Sequence, residues 1–307
     1  MYPEIEPYAS GLLEAGDGNH VYWETCGNPA GKPALMVHGG PGSGCSPAFR
    51  RFFDPARYRV VLFDQRNCGR SRPHASDPST DLEANNTQAL IQDMERLRDH
   101  LDVDRWLLLG GSWGSTLSLA YAERHPERAS EMVLFGVTTG RHSEVDWTFR
   151  GGLSRFFPEQ WSRLAAFAGE ADVVEAVARM LSDPDGRVRR KAAEEWCVWE
   201  SAPAAELAPR FRDPDYAVAF ARIVTHYMRH NLFLDDGVLL REAGALSNLD
   251  GVLINAREDL QAPLDNTLAL ARAWPRARLA IVDESGHGTG PAVSREIVQA
   301  TDRFARQ

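Results

Sequence analysis

A short apolar run that breaks into a glycine–serine turn constrains this chain more than any other feature. The run begins at Trp106 and has the length and composition of a buried strand, and Gly110-Gly-Ser-Trp-Gly114 follows it at once. A helical pattern resumes at Leu117. A Gly-x-Ser-x-Gly turn between a strand and a helix holds its serine in strained backbone at the edge of a parallel sheet. The pattern therefore predicts Ser112 as a nucleophile, and a loop without chemistry is the alternative that the five residues alone leave open.

Composition and charge restrict the kind of partner that the chain can have. A length of 307 residues fits one large α/β domain or two smaller ones, and an apolar share of 43% supports a sizeable core. The formal net charge is −9, and the longest basic run is Arg189-Arg-Lys191, which a helical pattern places on a solvated face. Nucleic acids attract strongly basic surfaces, so we expect no nucleic-acid partner.

The cysteines and the N-terminal residues bear on cofactors and location. The four cysteines, Cys26, Cys45, Cys68 and Cys197, lack Cys-x-x-Cys spacing. The sequence therefore predicts neither a metal site nor a cofactor. The first seven residues are acidic and have no apolar core, and no run is long enough to span a membrane. We expect a cytoplasmic protein with reduced thiols and no membrane partner, and the oligomeric state stays open, a monomer included.

Strand and helix patterns alternate along two parts of the chain. Antiparallel strands are predicted near 10–25, buried strands at 33–38, 58–63, 106–109, 132–136, 251–255 and 278–282, and helices at 87–101, from the serine turn to 124, at 264–274 and at 293–304. Such alternation is typical of a mostly parallel sheet with right-handed crossovers. The expected fold class is α/β, a sheet flanked by helices, with core segments at 1–137 and 246–307.

The alternation stops between these two core segments. Residues 138–245 show helical and turn signals without a convincing strand. They also carry a concentration of aromatic side chains: Trp147, Phe149, Phe156, Phe157, Trp161, Phe167, Trp196 and Trp199. We interpret this segment as an inserted helical cap. Most of its aromatics are expected to pack inside the cap, and some to line a pocket between cap and sheet.

A serine hydroxyl becomes a good nucleophile only when a base removes its proton. The base needs a carboxylate that fixes its tautomer and stabilises its cation. After an elbow of this kind, the acid and then the histidine follow along the chain. Asp259 comes just after the strand at 251–255, and His287 just after the strand at 278–282. Because open α/β sheets build sites at these strand ends, we predict Ser112 as nucleophile, His287 as general base and acid, and Asp259 as the orienting carboxylate.

Other carboxylates and histidines compete for these roles. The nearby carboxylates are Glu258, Asp265, Asp283 and Glu284, and the other notable histidines are His38, His125, His226 and His230. Asp265 begins a predicted helix and is expected to be its N-cap. Asp283 lies too close in sequence to His287 to be an obvious partner, and His125 has the position of a helix end.

The oxyanion of an acyl-transfer intermediate needs two backbone N–H donors. One comes from the residue after the nucleophile, which is Trp113, and the other from the loop after the first core strand. That loop is His38-Gly-Gly-Pro-Gly42, in which we favour the N–H of Gly40, with Gly39 second. A phosphate cradle is the alternative, but no Gly-Lys-Ser/Thr follows and the spacing does not fit Gly-x-Gly-x-x-Gly.

Together these motifs resemble the proline iminopeptidases, serine aminopeptidases with an α/β-hydrolase core and a helical cap. The resemblance covers nearly the whole chain. It rests on His38-Gly-Gly-Pro-Gly42, Asp64-Gln-Arg-Asn-Cys-Gly-Arg-Ser71, Gly110-Gly-Ser-Trp-Gly-Ser115, Ala122-Glu-Arg-His-Pro-Glu127, the Asp259 loop and Ser285-Gly-His287. It implies a small peptide or aminoacyl-amide substrate, whose N-terminal residue is released through an acyl-serine intermediate.

The resemblance also implies residues that recognise the substrate. The family has a glutamate in a Trp-x-x-Trp-Glu segment, and Glu200 keeps it here, which makes it the candidate anchor for the substrate amine; a surface glutamate is the alternative. A second family glutamate is replaced by Val224. Where the family has Arg-Gly-Ile-Phe, this chain has Phe135-Gly-Val-Thr138, and Asn67 replaces a usual glycine. The replacement by Val224 removes one amine contact and favours a more apolar pocket, and the changes together favour a preferred acyl residue other than proline.

Four other functions remain to be weighed. Some relatives remove a small aminoacyl group from a natural-product intermediate, and this chain's altered pocket would suit such a substrate. A carboxylesterase of the same fold would use the same triad without an amine anchor. A non-enzymatic binding protein is disfavoured by the complete triad, and a metallopeptidase by the lack of a His-Glu-x-x-His or comparable motif.

Overall fold

A mostly parallel sheet organises the part of the chain that the computed structural model describes, residues 1–204 and 206–306 without the side chains of Glu284 and Ser285. Its strands are β1 (Pro7–Gly16), β2 (Asn19–Gly27), β3 (Lys32–Val37), β4 (Tyr58–Asp64), β5 (Trp106–Ser112), β6 (Ala129–Val137), β7 (Asp250–Glu258) and β8 (Ala277–Ser285). The strand order is β1-β2-β4-β3-β5-β6-β7-β8. Strand β2 pairs antiparallel with β1 and β4, and every later neighbouring pair is parallel. The predicted α/β class is confirmed.

Helices follow the strands as the sequence patterns indicate. They are α1 (Thr87–His100), α2 (Trp113–Arg124), α3 (His142–Phe149), α4 (Pro158–Ala168), α5 (Val173–Leu181), α6 (Gly186–Glu200), α7 (Pro214–Arg229), α8 (Val238–Glu242), α9 (Leu264–Ala273) and α10 (Pro291–Phe304). The side chain of Asn86 accepts a hydrogen bond from the Ala89 N–H and so caps the start of α1. Among the described helices, none combines the length and hydrophobicity needed to cross a membrane.

Both faces of the sheet are buried, which explains why its strands are continuous apolar runs. On β5, Leu108 packs in the same cluster as residues of α1 and α2. Leu107 and Leu109 point to the opposite face and pack with residues of α10. This alternation follows from the two-residue period of a strand. The sheet is therefore a rigid layer whose carboxyl-terminal edge can hold side chains in fixed positions.

The segment between β6 and β7 is helical. Its described residues form α3 to α8 with 3-10 turns and irregular stretches between them, and they contain no strand. Aromatic pairs hold these helices together: Phe149 stacks on Trp196 with ring centroids 5.3 Å apart, and Trp161 meets Trp199 edge-on at 5.0 Å. Tyr227 of α7 contacts Trp113 of α2 at 4.9 Å. The helical segment thus packs directly beside the serine turn.

Candidate active site

A cavity of about 830 Å³ lies where the ends of β3, β5 and β8 approach the helical segment. From the sheet side it is lined by Gly39, Gly40, Ser112, Trp113, Phe135, Thr138 and His287. From the helical segment it is lined by Glu144, Thr148, Phe149, Glu200, Arg210, Phe211, Tyr216, Phe220, Met228 and Leu232. Ser112, His287 and Glu200, which lie far apart in the sequence, therefore meet in one cavity of a size that suits a small ligand.

The serine turn has the strained geometry expected of a nucleophile elbow. Ser112 has φ 54° and ψ −129°, a conformation that side-chain-bearing residues rarely adopt. Two glycines permit the turn, because a Cβ on Gly110 would lie 2.3 Å from the Gly114 oxygen and one on Gly114 would lie 2.1 Å from the Val37 oxygen. Close approach of backbone to backbone therefore requires glycine on both sides of Ser112.

A carboxylate orients the imidazole in the cavity wall. Nδ1 of His287 lies 2.7 Å from Oδ2 of Asp259, and that carboxylate is buried. Its other oxygen accepts hydrogen bonds from the N–H groups of Gln261 (3.0 Å) and Ala262 (2.8 Å). A Cβ on Gly136 would lie 3.0 Å from the imidazole, so glycine there leaves room for the pair. With Nδ1 donating to Asp259, Nε2 of His287 is the atom left to accept a proton.

Burial and two neighbouring carboxylates determine the protonation of this imidazole. Burial disfavours the cation, but the charge of Asp259, its hydrogen bond and the charge of Glu200 outweigh burial and raise the pKa of His287. The same carboxylates would stabilise the imidazolium that forms when a serine hydroxyl loses its proton. The cavity therefore combines a strained serine with a base that can accept and hold a proton.

The competing side chains lie elsewhere. Asp283 forms an exposed ion pair with Arg257 at 2.8 Å, and Glu258 is exposed. The expected N-cap role of Asp265 is wrong, because α9 already begins at Leu264 with Pro263 at the N-cap position. The side chain of Glu284 lies outside the described residues. His125 is the C-cap of α2, His226 contacts the Asn85 oxygen at 2.9 Å and His230 is exposed.

The glycine-rich loop presents its peptide groups beside Ser112. Gly40 lines the cavity with φ 116°, a left-handed conformation that favours glycine. A Cβ on Gly39 would lie 3.3 Å from the Cβ of Ser112, so the loop packs closely on the elbow. The Gly39 oxygen accepts from the Ser43 N–H at 3.2 Å and contacts Nδ1 of His38 at 2.9 Å. Because a trans peptide directs its N–H opposite to its C=O, these contacts also fix the direction of the Gly40 N–H.

Gln65 joins the glycine-rich loop to the serine turn, a link that no sequence pattern indicates. Its backbone N–H donates to Nε2 of His38 at 3.0 Å, so Nδ1 of His38 carries the proton and donates to Gly39. Its side-chain amide donates to the His38 oxygen at 2.8 Å and accepts from Nε1 of Trp113 at 2.9 Å. Burial lowers the pKa of His38, which keeps this imidazole neutral. The middle residue of Asp64-Gln-Arg66 thus holds two cavity walls in register.

Glu200 brings a carboxylate into the cavity from the C-terminal end of α6. It is half-buried, and Nε1 of the buried Trp196 donates to its Oε1 at 3.1 Å. Burial raises the pKa of Glu200 to about 7, although that hydrogen bond and the charges of Arg210 and His287 act in the opposite direction. Near neutral pH the side chain is therefore poised between a carboxylic acid and a carboxylate, and a bound cation would favour the carboxylate.

The remaining predicted pocket residues are placed differently from one another. Phe135 and Thr138 line the cavity, and the Thr138 hydroxyl donates to the backbone carbonyl oxygen of Ser112 at 2.9 Å. Val224 is fully buried and lies outside the described lining. Its neighbours one turn away on α7, Phe220 and Met228, do line the cavity. The valine thus supports the cavity wall from behind and does not form its surface.

Two charged residues in the wall have no sequence pattern that marks them. Glu144 accepts from the Thr139 N–H at 2.9 Å and from Nε of Arg141 at 3.0 Å, so its charge is already neutralised. Arg210 lies in the 3-10 turn Pro209–Arg212. Among the described residues, no group of three or more His, Cys, Asp or Glu side chains is arranged to hold a metal ion.

Comparison with known proteins shows which family this chain resembles along its whole length. Residues 32–289 match the family model of the α/β hydrolase fold. A probable proline iminopeptidase of Streptomyces coelicolor is 48% identical, with 100% of this chain and 98% of the relative covered. The proline iminopeptidase of Xanthomonas citri is 44% identical, with 99% of each chain covered.

Solved structures show the same fold at lower identity. VinJ superposes with a TM-score of 0.67 and 17% identity, covering 98% of this chain and 99% of its own. The proline iminopeptidase of Mycobacterium smegmatis superposes with a TM-score of 0.62 and 17% identity, covering 97% of this chain and 98% of its own. At such identities the likeness concerns the fold alone.

Proposed function

This chain belongs to the proline iminopeptidase family of α/β hydrolases, and we propose that it releases the N-terminal residue of a small peptide or aminoacyl amide, with Ser112 as nucleophile. The observation that carries the proposal is Glu200, a carboxylate placed in the same cavity as Ser112 and His287. An esterase needs no such carboxylate, whereas an enzyme that recognises a free N-terminal amine does. In this proposal residues 138–245 form the cap, and residues 1–137 and 246–307 the catalytic core.

The first half-reaction transfers the N-terminal aminoacyl group to the serine. The hydroxyl oxygen of Ser112 attacks the carbonyl carbon while Nε2 of His287 takes its proton, and Asp259 stabilises the imidazolium. Negative charge moves to the carbonyl oxygen, which accepts hydrogen bonds from the N–H groups of Gly40 and Trp113. When the tetrahedral intermediate collapses, the C–N bond breaks and His287 gives its proton to the leaving amine.

The second half-reaction returns the enzyme to its starting state. A water molecule attacks the acyl-serine carbonyl, His287 takes a proton from the water, and the same two N–H groups hold the new oxyanion. Collapse breaks the ester bond, and His287 returns the proton to the oxygen of Ser112. The free amino acid leaves the cavity. These steps require only the side chains and peptide groups named and no cofactor.

Glu200 selects substrates with a free amine in this mechanism. A protonated amine next to the carboxylate forms a charge-assisted hydrogen bond, which is stronger than a neutral one. The Trp196 N–H holds Oε1 in place, so the carboxylate loses little side-chain freedom when the substrate binds. Acetylation of the substrate amine removes its charge and leaves Glu200 buried beside a neutral amide. Discrimination between the two substrates is therefore expected.

A panel of aminoacyl arylamides tests the function. We expect alanyl and prolyl arylamides to be hydrolysed, and N-acetyl-alanyl arylamide to have a kcat/KM about 10–100-fold lower, because a charged hydrogen bond contributes about 1.5–3 kcal/mol. Glu200→Gln should reduce this difference in kcat/KM between free and acetylated substrates by raising KM for the free-amine substrates. Equal rates on acetylated and free substrates would instead support a carboxylesterase.

The same panel addresses the preferred acyl residue. Thr138, and not an aromatic ring, faces the cavity where the family has phenylalanine. A small polar side chain offers a proline ring little apolar surface, so we expect alanyl to be hydrolysed at least as fast as prolyl arylamide. Faster hydrolysis of the prolyl substrate would contradict this preference but leave the aminopeptidase proposal intact.

The stability of Glu200→Gln should depend on pH in one direction. The ordinary pKa of glutamate is 4.5, whereas folded Glu200 has a pKa of about 7. Between these values the folded chain binds one proton more than the unfolded chain, so wild-type stability falls as pH rises through this window. Above pH 7 Glu200 is ionised in both states, and the full cost of burying its charge then lowers the stability of the wild type. We therefore expect Glu200→Gln to raise the free energy of unfolding by about 1–3 kcal/mol at alkaline pH and by little near the ordinary glutamate pKa.

Urea unfolding of the wild type and Glu200→Gln, measured at an acidic and an alkaline pH, checks this expectation. Titrating groups that do not interact with Glu200 are common to both proteins and cancel in the difference, whereas His287, whose pKa the charge of Glu200 helps to raise, contributes to it. Glu194→Gln is a suitable control, because Glu194 lies on the same helix, is exposed and pairs with Lys191. A stability gain that is larger at acidic pH would show that Glu200 is ionised more easily than its surroundings indicate.

A further inference from the structure

Arg210 is a cation in the cavity wall that the proposed mechanism does not use. It lies in the 3-10 turn Pro209–Arg212, and among the described lining residues it is the one arginine or lysine. Its guanidinium carbon lies 5.1 Å from the ring centroid of Phe211 and 5.8 Å from that of Phe220. Both rings also line the cavity. The aromatic faces therefore hold the cation at the wall, since a guanidinium stacks favourably on them.

No hydrogen bond or ion pair occupies this guanidinium within residues 1–204 and 206–306. Its charge nevertheless reaches the reaction site, because it opposes the rise in the pKa of both Glu200 and His287. Arg210 and Glu200 thus place opposite charges in one cavity without neutralising each other by direct contact. An arginine held in this way has five donors available for a bound anion.

A dipeptide substrate has a positive charge at its N-terminal end and a negative charge at its C-terminal end. Its N-terminal amine is positive and is repelled by Arg210, so the amine belongs at Glu200. The leaving group of a dipeptide ends in a carboxylate, which a guanidinium binds with two parallel hydrogen bonds. An extended dipeptide spans about 7 Å, which the cavity of about 830 Å³ accommodates.

We propose that Arg210 binds the C-terminal carboxylate of a short peptide substrate and makes this enzyme selective for dipeptides with a free carboxyl group. This proposal rests on the proposed function and adds the leaving-group side of the site. The arginine is more than one-third exposed, so water and salt weaken the contact. We therefore expect a preference of about tenfold, which is the lower end of what a charged hydrogen bond contributes.

Matched peptides measure this preference directly. The probes are Ala-Ala and Ala-Ala amide, with Pro-Ala and Pro-Ala amide as a second pair, and the readout is the ratio of kcat/KM for acid over amide. The scissile bond and the N-terminal residue are the same within each pair, so the ratio isolates the carboxylate. For the wild type we expect a ratio of about ten at low salt and a clear decrease when salt is added.

Variants of the same turn assign the preference to one side chain. Arg210→Gln should bring the ratio to near one, and Arg210→Lys should retain part of it. Arg212→Gln is the control, because Arg212 is an exposed arginine two residues away that lies outside the described lining, and its ratio should match the wild type. Equal ratios in the wild type and Arg210→Gln would overturn the proposal.

The two proposals fail in distinguishable ways. A ratio near one with normal hydrolysis of both free-amine peptides would overturn the role of Arg210 and leave the aminopeptidase function standing. No hydrolysis of any of the four peptides, or equal hydrolysis of N-acetylated peptides, would overturn the aminopeptidase function itself. We expect each variant to unfold at nearly the wild-type temperature, because both arginines lie at the surface. Thermal unfolding therefore checks that a folding defect does not cause a change in the ratio.

Discussion

Replacing Ser112 with alanine is expected to lower kcat/KM for an alanyl arylamide by at least about 10⁴-fold. No other group in the proposed mechanism can form the acyl intermediate, so only the rate due to binding and the oxyanion donors should remain. The strained backbone at φ 54° is set by the glycines around the serine and does not depend on its hydroxyl. The variant should therefore unfold at nearly the wild-type temperature.

Steady-state kinetics and covalent labelling check this result together. An aryl phosphonate should add one adduct to the wild type, on the peptide that contains Ser112, and none to Ser112→Ala. Ser247→Ala is the control, because this exposed serine lies outside the described lining of the cavity. Labelling of the alanine variant, or substantial residual turnover, would place the nucleophile elsewhere. A wild type that does not react would support the non-enzymatic alternative.

Asp259→Asn should lower kcat by about 10³–10⁴-fold through the tautomer of His287. The N–H groups of Gln261 and Ala262 both donate to Oδ1, so the asparagine must keep its oxygen on that side. Its NH₂ group then faces Nδ1 of His287 and donates to it. The imidazole proton moves to Nε2, which can no longer accept the proton of the serine.

Matched variants separate this effect from a general loss of charge. Asp283→Asn removes a carboxylate that lies near His287 in sequence but forms an exposed ion pair with Arg257. We expect its kcat to stay within about twofold of the wild type, because exposed ion pairs contribute little. A large loss in Asp283→Asn with a small loss in Asp259→Asn would exchange the two assignments.

Local backbone rules made the strand–turn–helix elbow predictable. The apolar run before Gly110 has strand length, and Gly110 and Gly114 permit the close backbone approach that such a turn requires. Asp259 and His287 were predictable because both follow buried strands, and parallel strands end at one sheet edge. The prediction that Asp265 is an N-cap was wrong, because sequence patterns locate the start of a helix only to within a residue or two. Here Pro263 holds the N-cap position.

Side chains from distant segments were much harder to foresee. Glu200 was found through a resemblance, but its raised pKa comes from burial that only the folded chain creates. Gln65 lies 27 residues from His38 and 48 from Trp113, and it hydrogen-bonds to both. Val224 was assigned to the pocket surface, yet one helical row of α7 contains both lining residues and a fully buried one. Spacing along a helix does not show which of its residues are covered by neighbouring segments.

For this protein the sequence by itself determined the fold class, the nucleophile elbow and the order of the candidate triad. These depend on short-range physics, namely strand and helix periodicity, glycine conformations and the loops that follow strands. Only the tertiary structure decided that Asp259 meets His287 at 2.7 Å, that Glu200 is poised near neutral pH, and that Arg210 faces the same cavity. Distances, burial and charge are properties of segments brought together by folding, and they determine which chemistry a given set of side chains can perform.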